Sequence, residues 1–291
     1  MEIEGRFSSP KSHIVKFLDE GGPNVFRFSD IRATFATNKK LWGLKKDIKV
    51  YDVIGFLLRE TRLKKVNLEF PSRTEVRYLW GEVSIYEVAL SLKTGSYFTH
   101  QTAMYLHKLK EKAPKMIFLN LEQPPHYTDH ENFSQESIDA AFRRPQRISK
   151  NMASFRGKKI CILNGMHTGK LGVIMIRGSG GEEIPVTNIE RTLIDIVVRP
   201  SYSGGVPEVL KAYKKAEGKV SIKKLISMLK SLNYVYPYHQ AVGFYLEKAG
   251  YSDPSVNLLR DFGINYDFYL AHDMKEMGYS EEWRIFFPKG L

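Results

Sequence analysis

The chain is nearly without cysteine: one residue, Cys161, in 291. An intramolecular disulfide is therefore impossible. The thiol lies in the apolar run KKICILNG and reads as a small buried hydrophobe, which suits a reducing compartment. Long apolar runs are also lacking. No segment approaches the roughly 18 consecutive apolar residues that a membrane-spanning helix needs. The opening MEIEGRFSSP carries two acids and no apolar stretch of the kind a secretory leader requires. A cytoplasmic location and no membrane partner are the expectation. Acidic charge is in short supply, with 32 Asp and Glu against 44 Lys and Arg and a net charge of +12. Such a balance favours polyanionic partners, nucleic acid or an anionic surface, without choosing between them. Hydrophobic residues are not scarce. At 43% they suffice for packed cores, and the length suits two domains.

The first 83 residues predict three helices and a hairpin. The first helix spans about Pro10 to Asp19 and ends at Gly21-Gly22. The second starts at Ser29 as its N-cap and carries Ile31, Ala33, Phe35 and Ala36. A basic link follows, from Asn38 to Lys46. Asp47 then caps a third helix with Val50, Val53, Ile54, Leu57 and Leu58 on one face. The period changes from helix to strand in KKVNLEF and TEVRYLWG, which Pro71-Ser72-Arg73 separates. Three helices and a two-stranded ribbon are the order of a winged helix-turn-helix. In such a module the third helix enters the major groove and its first residues meet base edges. Here those are Lys46, Lys49, Tyr51 and Asp52, with Lys39, Lys40 and Lys45 just before them. The hairpin would set Arg62, Lys64, Lys65, Arg73 and Arg77 along phosphates or the minor groove. Nine Lys or Arg lie between Lys39 and Lys65 against three acids, Asp47, Asp52 and Glu60. The whole is expected as an α+β protein: an N-terminal winged helix-turn-helix, 1–83, followed by a larger mixed α/β domain, 84–291, with a subdivision near 150–185.

In that larger part, two short helices flank Lys93-Thr94-Gly95, and MIFLNLEQPP forms a strand. Residues 126–151 are polar, with a helix over Gln135 to Phe142 and a basic linker at Arg143-Arg144-Pro145-Gln146-Arg147. KKICILNG and LGVIMIRG are strands. His100 and His107 stand seven apart with no partner at ligand spacing, so no metal is expected. Gly165-Met166-His167-Thr168-Gly169-Lys170 is too short for a phosphate-binding loop, lacks the Ser or Thr after its lysine, and joins two strands. Gly178-Ser179 opens a nucleotidyltransferase-like motif, but no paired acids follow. Thr187 and Glu190 form a capping box that starts a helix with Leu193, Ile194 and Val197 buried. Helices follow from Pro207, from Ser221 and from Tyr238 to Ala249, and strand-like aromatic segments close the chain. Arg191, Asp195, Arg199, Tyr202, His239, Gln240 and Glu247 are unusual in packed helices. They are either a polar surface for a partner or an internal network, with Arg191 and Asp195 able to pair at i,i+4.

Several segments together resemble the AbiEi-type antitoxins of bacterial type IV toxin–antitoxin systems, which also serve as abortive-infection phage-defence modules. They are SYFTHQTAMYLHKL from Ser96, VTNIERTLIDIVVRP from Val186, YSGGVPEVLKAY from Tyr202, YVYPYHQAVGFYLEKAG from Tyr234 and the closing YSEEWRIFFPKGL. The likeness implies a transcriptional autorepressor that binds inverted repeats of double-stranded DNA in its own promoter, with two copies on the DNA. It further implies that the C-terminal domain counteracts a cognate nucleotidyltransferase-like toxin, without a tight complex being required. No catalytic residue and no cofactor come with it.

Three alternatives stand beside this. The chain is a solitary defence regulator; or the winged helix binds protein instead of DNA; or the C-terminal domain is a metal-dependent nuclease using Asp195, Glu208 and Lys211, although acids inside helices suit that chemistry poorly.

Overall fold

The computed structural model describes residues 7, 10–21, 23–125, 133–252 and 254–291. Gly22 and the beginning of the polar 126–151 stretch lie outside them. The chain divides into two compact units: Met1–Thr94 with Met152–Gly157, and Gly95–Asn151 with Lys158–Leu291. The first unit thus reaches past residue 83 and takes in a short segment from far downstream.

The first unit runs α1 (Pro10–Glu20), β1 (Val25–Phe26), α2 (Phe28–Asn38), α3 (Val50–Glu60), β2 (Leu63–Phe70), β3 (Arg73–Trp80) and α4 (Ile85–Leu90). Ile14 and Leu18 of α1, one turn apart, meet Val53, Ile54 and Leu57 of α3 in one core. The link between α2 and α3 contributes to that core as well, through Trp42, Leu44 and Ile48. β2 and β3 pair antiparallel from Leu63 opposite Trp80 to Phe70 opposite Arg73, across the two-residue turn Pro71-Ser72. β1 pairs with the far edge of β3, giving the order β1-β3-β2.

Both expected helix caps are corrected. α2 begins one residue before Ser29. Its cap is Arg27, whose N–H donates to the Asp30 carboxylate at 2.7 Å. α3 begins three residues after Asp47. Its cap is Lys49, whose N–H donates to the Asp52 carboxylate at 2.7 Å. In each case an acid at the third helical position reaches back to an orphan donor, which also suits the positive end of the helix dipole.

The second unit opens with β4 (Tyr97–Phe98), α5 (His100–Leu106), β5 (Met116–Glu122) and α6 (Gln135–Phe142). β6 (Met152–Phe155) belongs to the first unit, where it packs on β2. Then come β7 (Lys158–Gly165), β8 (Val173–Arg177), β9 (Glu183–Thr187) and α7 (Ile189–Val198). α8 (Val206–Ala216), α9 (Ile222–Leu232), α10 (Tyr238–Lys248), a 3-10 stretch (Pro254–Phe262) and strands β10 (Phe268–Tyr269), β11 (Met277–Ser280) and β12 (Ile285–Pro288) finish the chain. The strands of its main sheet lie in the order β7-β5-β4-β9-β8. β5 and β7 are parallel, as are β4 and β9, while β4–β5 and β8–β9 are antiparallel. A second sheet has the order β10-β12-β11, with β11 and β12 antiparallel.

α7 is the axis of this unit. Every residue from Glu190 to Val197 is buried, including Glu190, Arg191 and Asp195. A helix enclosed on all sides must pair each polar side chain it carries. Its cap is Asn188, which accepts the Arg191 N–H at 2.9 Å; the expected cap Thr187 bonds Thr192 instead. α10 packs Gly243 so closely on the buried Trp283 that a Cβ there would stand only 2.2 Å from the indole ring. The fold is mixed α+β with several sheets. No helix among the described residues is long and apolar enough to cross a membrane.

Candidate functional site

The first-unit cations expected to meet DNA fall into two groups. Lys40, Lys45, Lys46 and Lys49 are exposed around the entry to α3 and make no ion pair with any described residue. Lys39 organises them. Its Nζ donates to the carbonyls of Lys46 at 2.8 Å and Ile48 at 2.7 Å, pinning the link against the end of α2. Tyr51, in the first turn of α3, is 69% exposed and stacks on Phe28 at 5.0 Å. Asp52, expected to face bases, instead accepts the N–H of the cap residue Lys49.

The second group starts past the other end of α3, an eleven-residue helix about 16 Å long. Arg62 pairs with Asp19 and lies over the Trp80 ring. Lys64 pairs with Glu82 at 2.8 Å. Lys65 is exposed. Arg73 is not at the tip of a loop but opens β3, opposite Phe70, where it pairs with Glu75 at 2.9 Å. Arg77 is a clear correction. It is 3% exposed and donates to the Ser91 carbonyl at 3.0 Å, the Ser91 Oγ at 3.0 Å and the Val76 carbonyl at 2.7 Å. Burial lowers its pKa, and Glu75 only partly offsets this. It cannot reach a phosphate. Burial would raise the Glu75 carboxyl, yet bonds from Arg73 and Arg77 hold it below its ordinary value.

In the second unit most of the residues singled out are internal. Arg191 donates to Asp195 at 2.7 Å, and both are buried. Asp195 also accepts from Thr99 Oγ at 2.8 Å. The Arg191 guanidinium goes on to the Leu171 carbonyl at 3.0 Å and to Thr168 Oγ at 3.3 Å. Burial would lower the Arg191 pKa, but Asp195 beside it drives the net shift upward. Gln240 donates to the carbonyls of Tyr266 at 2.8 Å and Trp283 at 2.7 Å, tying α10 to the C-terminal sheet. The Tyr202 hydroxyl accepts the Ser149 N–H at 2.9 Å, and His239 bonds the Gly263 carbonyl at 2.7 Å. Glu247 is half exposed and accepts from Trp283 Nε1 at 2.8 Å. Arg199 alone of the seven is exposed and without an ion pair to a described residue.

Sequence reasoning missed the centre of this network, Glu122. Its carboxylate accepts from the Thr168 N–H at 3.0 Å, the Lys170 N–H at 3.1 Å, the Tyr97 hydroxyl at 2.9 Å and the Thr168 hydroxyl. Burial would raise its pKa, but these donors lower it. The loop that resembled a phosphate cradle therefore wraps an anion after all, one supplied by this chain. The only signal was an acid ending an otherwise apolar strand. His100 was also undervalued. It is buried at φ +52° against Tyr202 and Phe118, and burial drives its pKa down to about 4. His107 bonds the Thr187 carbonyl at 2.6 Å.

The two acids weighed for nuclease chemistry are both committed. Asp195 is held by Arg191 and Thr99. Glu208 accepts from Lys110 at 2.7 Å and Lys211 at 2.8 Å, which take its pKa down to about 2. Among the described residues no group of three or more His, Cys, Asp or Glu could hold a metal ion.

These features define a mixed α+β protein of two units, the larger assembled around one enclosed helix. A protein of like architecture is the RV2827C protein from Mycobacterium tuberculosis. It superposes with a TM-score of 0.59 over 96% of this chain and 91% of that one, at 13% identity. No family model and no curated protein matches the sequence.

Proposed function

We propose that this protein is a DNA-binding autorepressor and antitoxin of the AbiEi type. In it the first unit is a winged helix-turn-helix, and two copies sit on promoter inverted repeats. The observation that carries the DNA-binding half is the succession α1-β1-α2-α3-β2-β3 with β1 paired to β3, together with the exposed lysines at the entry to α3, which form no ion pair with a described residue. A helix of this kind offers its N-terminal turn to the major groove, and exposed lysines are available to displace counterions from phosphates. The ion-paired hairpin cations Arg62, Lys64 and Arg73 are secondary in this scheme, and Arg77 has no part in it. The antitoxin half rests on the resemblance of the Val186–Pro200 and Tyr234–Gly250 segments. Because Arg191, Asp195 and Gln240 are buried, the face offered to the toxin or its target must be built from other residues, Arg199 among them.

Fluorescence anisotropy with the inverted repeat upstream of the gene, against a scrambled duplex, tests the first half. The native sequence is expected to bind more tightly, with log affinity falling linearly against log salt. Lys46→Glu with Lys49→Glu should abolish binding and leave the melting temperature unchanged. Equal affinity for both duplexes, or binding that survives the charge reversal, would refute it. Co-expression with a growth-arresting nucleotidyltransferase-like toxin tests the second half: growth is restored by the intact chain, and failure of rescue counts against the antitoxin role.

A further inference from the structure

We infer that a tyrosine-walled pocket at the start of α10 binds a phosphate monoester, held by Tyr234, Tyr236, Tyr238 and Lys230. The pocket lies wholly within the second unit. Lys230 and Asn233 at the end of α9, the three tyrosines and Phe262 line it. Asn233 closes α9 with a left-handed φ of +43°, which turns the chain into the tyrosine wall. The volume is about 90 Å³, with a side open to solvent. An apolar cavity of about 150 Å³ takes benzene. The space here is smaller, and it suits a single polar head group whose carrier stays outside.

Its donors are in place and unspent. A buried tyrosine hydroxyl ordinarily finds a partner. Tyr97 donates to Glu122 at 2.9 Å, Tyr213 to the Leu193 carbonyl at 3.2 Å and Tyr251 to the Tyr213 carbonyl at 2.8 Å. The hydroxyls of Tyr234, Tyr236 and Tyr238 bond to no described residue. Their rings are nonetheless fixed. Tyr238 meets Tyr234 edge-on at 5.2 Å and Phe268 at 5.3 Å, and Tyr236 stacks on Phe268 at 6.2 Å. Burial pushes the Tyr234 and Tyr238 phenols well above their ordinary pKa, so both remain O–H donors at any working pH.

The charge around the pocket selects an anion. Lys230 is exposed, makes no ion pair with a described residue and stands with Nζ 5.4 Å from the Phe262 ring centre. No Asp or Glu lines the space. Tyr238 and His239 are the first residues of α10, which has no side-chain cap, so the positive end of its dipole adjoins the pocket. The exposed Arg199 is near enough to act electrostatically on Tyr238. Asp195 acts on Tyr234, but Arg191 opposes it there. A carboxylate would bring one charge and two oxygens. A phosphate monoester brings nearly two charges and three acceptor oxygens, which three hydroxyls and an ammonium match better. Two sources carry that group: free phosphate, and the 5′ end of a nucleic-acid strand. The inference does not rest on α3 reading DNA.

Thermal unfolding of the full chain in about 10 mM inorganic phosphate, against sodium chloride of equal ionic strength, is expected to show a melting temperature higher by about 2–4 °C. Tyr234→Phe with Tyr238→Phe removes two oxygens that bond nothing inside the chain. That variant should melt like the native chain in chloride and lose the phosphate shift. Lys230→Gln, at an exposed position, should lose it too and decides the matter if the double variant does not fold. Calorimetric titration with a 5′-phosphorylated trinucleotide and its 5′-hydroxyl form separates the sources. Lysines before α3 meet the internal phosphates of both alike, so tighter binding of the phosphorylated form marks a strand end as the ligand. Equal binding of the two, with the phosphate shift present, marks free phosphate. No shift in the native chain overturns the inference, as does a shift that persists undiminished in the folded variants.

Discussion

Arg77 and the lysines before α3 carry the same charge and do opposite work. Arg77 lies inside the first unit with its donors directed at Ser91, Val76 and Glu75. Truncation would strand those acceptors and leave Glu75 short of a cation. Arg77→Ala should lower stability by about 2–4 kcal/mol in urea unfolding, whereas Lys46→Ala should change it by less than about 0.5 kcal/mol. The Arg191–Asp195 pair sets a sharper test, because each partner alone would be a buried, uncompensated charge. Either single alanine should cost about 3–5 kcal/mol, and the double replacement by leucines clearly less than the sum. His100 makes stability depend on pH. Its folded pKa of about 4 lies below the unfolded value of roughly 6.5, so the unfolded chain binds the proton more readily. Stability should therefore be complete above pH 6.5 and decline as the pH falls toward 4, by up to about 3 kcal/mol. His107, His239 and His272, also lowered by burial, act in the same sense. His100→Phe should flatten the curve in that window; an unchanged curve would remove His100 as its cause.

Among the elements, α10 isolates a conflict between local preference and packing. Glycine inside a helix is worth roughly 1 kcal/mol less than alanine, so Gly243→Ala would stabilise α10 in isolation. In the protein the added methyl meets the Trp283 ring, which sits in the core with Nε1 bonded to Glu247. The substitution should destabilise the chain by at least about 2 kcal/mol and shift the tryptophan fluorescence to the red as the indole is pushed outward. Elements with a clear period were legible from the sequence. α1, α3, α6, α9, β2 and β3 lie within a few residues of where apolar spacing puts them. The caps of α2 and α3 were misplaced because Ser29 and Asp47 are good local cap residues, and only the folded backbone selects Asp30 and Asp52. β1, β4 and β9 were missed. They are two to five residues long; β1 and β4 are held by strands distant in sequence, and β9, though it forms a hairpin with β8, has too short and mixed a run, EIPVT, to show a strand period. The candidate site was legible as a surplus of lysine. What was hidden is how those charges are used: Lys39 bonds backbone carbonyls, Arg62 and Lys64 find acids in other elements, and Arg77 is drawn inward where β3 ends in four consecutive buried residues.

The whole molecule is not two beads in sequence. α4 and residues 152–157 belong with the first unit, and Ser91 beyond Val83 receives both Arg27 and Arg77. A fragment ending at Val83 therefore loses the acceptor of two guanidinium groups, the buried Arg77 and the partly buried Arg27. It should melt well below a fragment ending at Thr94, with circular dichroism as the measurement, and adding a peptide of residues 150–159 should raise the melting temperature of the longer fragment further.

This threading also bears on how the protein comes into being. A ribosome that has released residue 94 has delivered all of the lysines before α3 but not the strand that covers β2. The unit is finished only after some sixty further residues have emerged, by which time β4, β5 and α6 of its neighbour have been made too. A transcript broken before that point yields a nascent head whose hairpin has one side bare. Synthesis of the second unit's first strands thus precedes completion of the first unit, because residues 152–157 that pack on β2 come only after them.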